Sequence, residues 1–194
     1  MKTLKSSLFF FLLACPVHAA VSIVVQPGST AGTSWFTVTQ TTDSPTLAVS
    51  GLSGYVMGMS IPSAMFNVPM LDPDHYTDIW GLFPTPLATV RDVYSGQALS
   101  LNQLRVASSP SGISVLGSQS ILTIPTGHSS LRLEVISAGP VETDIPYDGL
   151  VPGYYTAYDV VFGEVAVTVV PEPSTAMFMS ALSVSLLFRR KKGI

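Results

Sequence analysis

Between residues 21 and 170, apolar side chains fall in short runs that alternate with polar ones and are cut every few positions by Gly, Pro and Ser. That spacing constrains the fold most strongly, because a two-residue period sends successive side chains to opposite faces of a strand. In Leu131-Arg132-Leu133-Glu134-Val135 the apolar members face one way and Arg132 and Glu134 the other. Trp35 to Thr41 alternates in the same manner, and so does Val165-Ala166-Val167-Thr168-Val169, whose valines read as a buried face. Further candidate strands are 21–25, 46–50, 55–60, 89–94, 99–106, 113–116, 121–124 and 154–162. Turn signals punctuate them at Pro27-Gly28, Ser44-Pro45, Pro110-Ser111-Gly112, Gly117-Ser118, Pro125-Thr126-Gly127 and Pro152-Gly153. No helical i, i+3, i+4, i+7 stripe exceeds about two turns, which disfavours an α/β enzyme fold. The expected fold is all-β: a single antiparallel β-sandwich-like domain over residues 21–169. The stretch 61–86, rich in Pro and Met, reads as a long apolar loop packed on that domain.

Charge is laid out unevenly along the 194 residues. The formal net charge is −3, from 9 Lys+Arg and 12 Asp+Glu. Lys2 and Lys5 lie at one end and Arg189, Arg190, Lys191 and Lys192 at the other. The body between residues 21 and 170 holds only Arg91, Arg105 and Arg132 against eleven carboxylates, a net charge of −8. A nucleic-acid groove needs clustered Lys and Arg, so no nucleic-acid partner is expected. Ser and Thr supply 34 of the 150 body residues, so hydroxyls rather than charges keep this surface wet.

Residues 1–20 have the order of a secretory signal peptide. Lys2 and Lys5 form the positive region, 8–14 (LFFFLLA) the apolar region and Val17-His18-Ala19 a small-residue site, so signal peptidase is expected to cut after Ala19 or Ala20. Leu12-Leu13-Ala14-Cys15 leaves open a lipobox with Cys15 lipidated. A cut after Ala19 removes the chain's only cysteine, so the body has no disulfide, no thiolate nucleophile and no Cys-ligated metal.

At the other end, Pro171-Glu172-Pro173 precedes an apolar run, 175–188, and then the basic cluster Arg189-Arg190-Lys191-Lys192. The two prolines hold the preceding residues extended and out of a helix. The basic cluster is expected to stay cytoplasmic, leaving the body outside. At 1.5 Å per residue the run gives a helix of roughly 21 Å against a hydrocarbon core of about 30 Å, a short anchor that snorkelling flanks would assist. This tripartite ending, residues 170–194, resembles the PEP-CTERM protein-sorting signal of Gram-negative bacteria. The resemblance implies an exosortase substrate: the tail is held transiently in the inner membrane as a transmembrane sorting helix and cut near Pro171-Glu172-Pro173. The body is then released or attached outside the cell, in association with exopolysaccharide or biofilm. An uncut type I membrane anchor predicts the same topology and a different final place.

Candidate chemistry in the body is sparse. Asp72, Asp74 and Asp78 fall at positions 1, 3 and 7 of an oxygen-ligand loop that a Ca²⁺ ion could use, with His75 among them. Thr77 stands where an EF-hand needs Gly and Phe83 where it needs the bidentate Glu, so an exposed turn around Pro73 is the plainer reading. Glu134, Glu142, Asp144, Asp148, Asp159 and Glu164 form a second acidic stretch. Asp144 and Asp148 beside Tyr147, Tyr154 and Tyr155 suggest a sugar-binding edge, although such tyrosines are more often half-buried packing. No G-x-S-x-G elbow, Walker loop, H-E-x-x-H or G-x-G-x-x-G is present, and Lys is absent from 6 to 190. His128 stands in a polar turn. The expectation is an exported structural or adhesive protein without evident catalysis. A Ca²⁺- or carbohydrate-binding extracellular module is the alternative, with extracellular polysaccharide as the partner.

Overall fold

The computed structural model describes residues 20–30, 32–41, 46–47, 55–67, 79–107 and 112–172. The signal segment through Ala19, the candidate Ca²⁺ residues Asp72, Asp74 and Asp78, Pro173, the apolar run 175–188 and the cluster Arg189 to Lys192 lie outside the described residues. No described helix is long and apolar enough to cross a membrane.

Among the described residues most of the chain is strand, and the only helical segments are two short 3-10 turns. In order these are β1 (Val21–Pro27), β2 (Ser34–Gln40), β3 (Thr46–Leu47), β4 (Tyr55–Pro62), β5 (Ile79–Leu82), β6 (Ala88–Asp92) and β7 (Ala98–Leu101). They continue with β8 (Gln103–Arg105), β9 (Ile113–Thr123), β10 (Leu131–Ser137), β11 (Val141–Thr143), β12 (Gly153–Asp159) and β13 (Gly163–Val169). The all-β expectation holds. Three hydrogen-bonded sheets form, ordered β11-β2-β1-β13-β12, β3-β10-β6-β7 and β4-β9-β8-β5. Pairing is antiparallel except between β1 and β13, which run parallel from Val21 beside Val165 to Val25 beside Val169.

Alternation in sequence becomes alternation of burial. On β10, Leu131, Leu133 and Val135 are buried while Arg132 is exposed. Glu134 stands opposite Arg91 of β6, and the two form a 2.6 Å ion pair. β1 and β13 are interior strands, and their Ile23, Val25, Val165 and Val167 are sealed in the core. One apolar cluster unites the sheets: Phe36 and Val38 from the first, Leu99 and Leu133 from the second, Met59 and Leu116 from the third. Each such burial contributes about 1.5–3 kcal/mol. Polar clasps join the sheets, where the Asp159 carboxylate accepts the Ser60 N–H at 2.8 Å and the Gln40 side-chain oxygen accepts the Val135 N–H at 2.7 Å.

Several boundaries differ from the sequence expectations. Gly117-Ser118 is not a turn; 113–116 and 121–124 are parts of one strand, β9, because Gly117 pairs on both sides, with Gly58 and Gln103. The candidate 99–106 is broken at Asn102 into β7 and β8, which belong to different sheets. The candidate 154–162 ends at Asp159, whose carboxylate accepts the N–H groups of Val161 and Phe162 and turns the chain into β13. The stretch 61–86 is not all loop, since it contains the end of β4 and the whole of β5; its Met65, Phe66 and Phe83 are buried in the core.

Candidate functional site

The most organised polar region among the described residues lies where the tail leaves the body, and its first wall is the β1–β2 turn. Gly28 is required there, because a Cβ would stand 1.9 Å from the Thr33 hydroxyl and 2.6 Å from its carbonyl carbon. The backbone closes through Gly28 N–H to Thr33 O at 3.0 Å. Glu142, on β11 opposite Trp35, fixes the rest of the turn. Its carboxylate accepts the Ser29 N–H at 2.5 Å, the Ser29 hydroxyl at 2.6 Å and the Thr33 hydroxyl at 2.7 Å. The Ser29 and Thr33 hydroxyls, followed by the Ser29 N–H, hold Glu142 below its ordinary carboxylate value.

The second wall is a 3-10 turn, Tyr147–Gly149, set up by Pro146 with φ −67°. A second such turn, Ser63–Met65, follows Pro62 with φ −70°. The two lie side by side. Asn67 N–H donates to Gly149 O at 2.7 Å, Val151 N–H donates to Met65 O at 2.8 Å, and Phe66 bridges Leu150. Both segments read Ile-Pro followed by a short turn and a large apolar residue, Ile61 to Phe66 and Ile145 to Leu150. The pairing buries the Tyr147 ring and aims its hydroxyl at the tail, where it donates to the Val170 carbonyl. Burial first, and then the Glu172 carboxylate, raise the Tyr147 pKa above its ordinary value, so the hydroxyl is a donor at neutral pH.

Between these walls is a cleft of about 400 Å³, bordered by Pro27, Ser29, Thr33, Tyr147, Asp148 and Glu172. Glu172 belongs to the Pro-Glu-Pro motif, so the motif forms part of the cleft. Chemically the cleft offers hydroxyls and two exposed carboxylates, a surface for donors and cations rather than for anions.

The other residues singled out in sequence are scattered. Tyr155 is half-buried with its hydroxyl donating to Val151 O at 2.9 Å, whereas Tyr154 stands exposed on the opposite face of β12, so Tyr147, Tyr154 and Tyr155 do not form one sugar edge. Asp144 and Asp148 are exposed. Glu142 and Asp159 are committed to backbone N–H groups, and Glu134 is paired with Arg91. His128 stacks on Tyr94 with ring centroids 4.5 Å apart. Ala20, one of the two proposed signal-cleavage residues, extends the interior of the sheet, its N–H donating to Glu164 O and its carbonyl accepting the Thr41 N–H. Among the described residues no three His, Cys, Asp or Glu side chains are grouped as metal ligands.

Sequence reasoning missed Ser29, Thr33 and Asp92. The signals were Ser and Thr flanking the Pro27-Gly28 turn, and an Asp three residues before Ser95 at the end of a strand, an Asx-turn pattern. No family model, no curated protein and no solved structure matches this chain.

Proposed function

We propose that this chain is an exported β-domain, carried across the inner membrane by its leader, held there briefly by its C-terminal tail and freed outside the cell by exosortase cleavage near Pro171-Glu172-Pro173. The domain serves as a structural or adhesive surface component rather than as a catalyst. The observation that carries this reading is where the last described strand ends relative to the motif. Among the described residues the last strand, β13, ends at Val169, and Pro171 and Glu172 are exposed immediately after it. The Pro-Glu-Pro motif therefore begins within two residues of the body's edge, ahead of the apolar run and the basic cluster. The three sheets are read as one sandwich-like domain, supported by their shared apolar core.

Intact-mass measurement on membrane, cell-surface and medium fractions tests the reading. The expected mature chain begins at Ala20 or Val21 and ends within the Pro-Glu-Pro segment. A steady-state chain that still carries Arg189 to Lys192 would overturn it in favour of the uncut anchor.

A second reading, a carbohydrate-binding module, is favoured by one feature. Tyr154 and Tyr158 are exposed by 40% and 75% and project from the same face of β12 with Thr156 between them, a row of aromatic faces and a hydroxyl suited to a sugar chain. Loss of retention on neutral polysaccharide in Tyr154→Ala and Tyr158→Ala chains would support it. Ca²⁺ binding through Asp72, Asp74 and Asp78 is tested separately by calorimetric titration.

A further inference from the structure

We infer that the folded body clamps the root of its own tail, and that release of this clamp limits how fast the tail is cut; the inference rests on the processing proposed above. β13 lies between β1 and β12, so its backbone from Val165 to Val169 is flanked by a strand on both sides. A protease that takes its substrate as an extended chain reaches none of these bonds without unpicking the centre of a sheet. The restraint does not end with the strand. Val170 donates its N–H to Val25 O at 2.9 Å, and its own carbonyl accepts the Tyr147 hydroxyl. Glu172 then lies along the cleft wall.

Stalk length gives the clamp its consequence. From Pro171 to Ser174, ahead of the apolar run, the chain has four residues, with an extended reach of at most about 14 Å. A protease working at the membrane must thread its substrate through that gap beneath a folded domain. Letting go of Val170 lengthens the gap by a residue and frees the next two to move. Tyr147 is thus a positioning residue for processing, acting on the substrate side of the reaction. Its placement depends on two turns more than eighty positions apart in sequence, so the clamp exists only once the body has folded. The cleft in turn loses Glu172 if the cut falls before it.

Pulse-chase of the full chain in its own host, reading loss of the tail by mass, tests the clamp with wild type, Tyr147→Phe and Tyr155→Phe. Tyr155→Phe also removes one phenol-to-carbonyl bond, from a residue outside the cleft. Removal of one hydrogen bond is expected to speed tail loss about two- to fivefold in Tyr147→Phe. Amide exchange at Val170 should accelerate to match while Val167 stays protected, and Tyr155→Phe should behave as wild type. Equal rates of tail loss in Tyr147→Phe and wild type overturn the clamp alone, and so does equal acceleration by Tyr155→Phe. A tail retained in all three chains overturns the processing itself. If Tyr147→Phe fails to fold, Val170→Pro, which removes the other clamp bond by abolishing the N–H that Val25 O accepts, carries the same expectation for tail loss.

Discussion

Asp92 closes β6 with no exposed surface, an unfavourable place for a charge unless every lone pair is used. One carboxylate oxygen accepts the Ser95 N–H at 2.8 Å and the Ser95 hydroxyl at 2.6 Å, and the other accepts the Arg132 N–H at 2.9 Å. Burial pushes its pKa up, but the Ser95 hydroxyl and the backbone donors outweigh it and leave the group below its ordinary value. Glu142 is lowered by the same kind of bonds on a more open surface. Both carboxylates bind protons more weakly in the folded state than in the unfolded one. Their stabilisation is therefore present above the ordinary values of 3.8 and 4.5 and is lost as pH falls below them through the lower folded values. Asp92→Asn should lower the unfolding free energy at pH 7 by about 1–3 kcal/mol, and its deficit should shrink on acidification below about pH 4. Urea unfolding of both chains across that range checks the sign. A deficit that grows with acid would assign the stabilisation elsewhere.

At the scale of an element, β9 shows how a local signal is overridden. Gly117-Ser118 reads as a turn because Gly supplies turn conformations cheaply. In the fold Gly117 is laddered between β4 and β8, and the pairing outweighs the propensity. Gly58, across the ladder, is the glycine that geometry demands. It lies at the register shift between Val56 and Gly58, where a Cβ would meet Leu116 O at 2.4 Å and Gly117 Cα at 2.9 Å. Gly117 has open space, with its nearest atoms at 3.8 Å. Gly58→Ala should therefore destabilise by about 2–3 kcal/mol, whereas Gly117→Ala should cost less than about 1 kcal/mol. Thermal melts of the two variants decide, and equal midpoints would contradict the bulge account. Strands with strong alternation, such as β2, β10 and β13, were legible, because burying one face of a sheet leaves that pattern in the sequence. The three-residue β11 was not, since Val141-Glu142-Thr143 is too short to show a period and is set by pairing with β2.

For the whole molecule, the parallel pairing of β1 with β13 is the decisive long-range event. It joins the first and last described strands at the centre of a sheet, and it puts Ala20 and Val170 at opposite ends of that sheet, about 20 Å apart at 3.3 Å per residue. A chain of residues 20–170 should fold with the thermal midpoint of the tail-bearing protein. A chain ending at Phe162 should show no cooperative transition by circular dichroism, because it leaves β1 and β12 without their common partner; a cooperative melt would show that the pairing is dispensable. The sequence by itself determined the strand-rich character of the body, its acidic surface and the compositional order of its two ends, because periodicity, charge and hydropathy are carried by neighbouring residues. Tertiary structure alone decided which tyrosine meets the tail, which carboxylates are used on backbone N–H groups and which of the facing glycines of β4 and β9 is indispensable. Those outcomes depend on contacts such as Glu142 with Ser29 and Tyr147 with Val170, between residues that only the sheet order brings together.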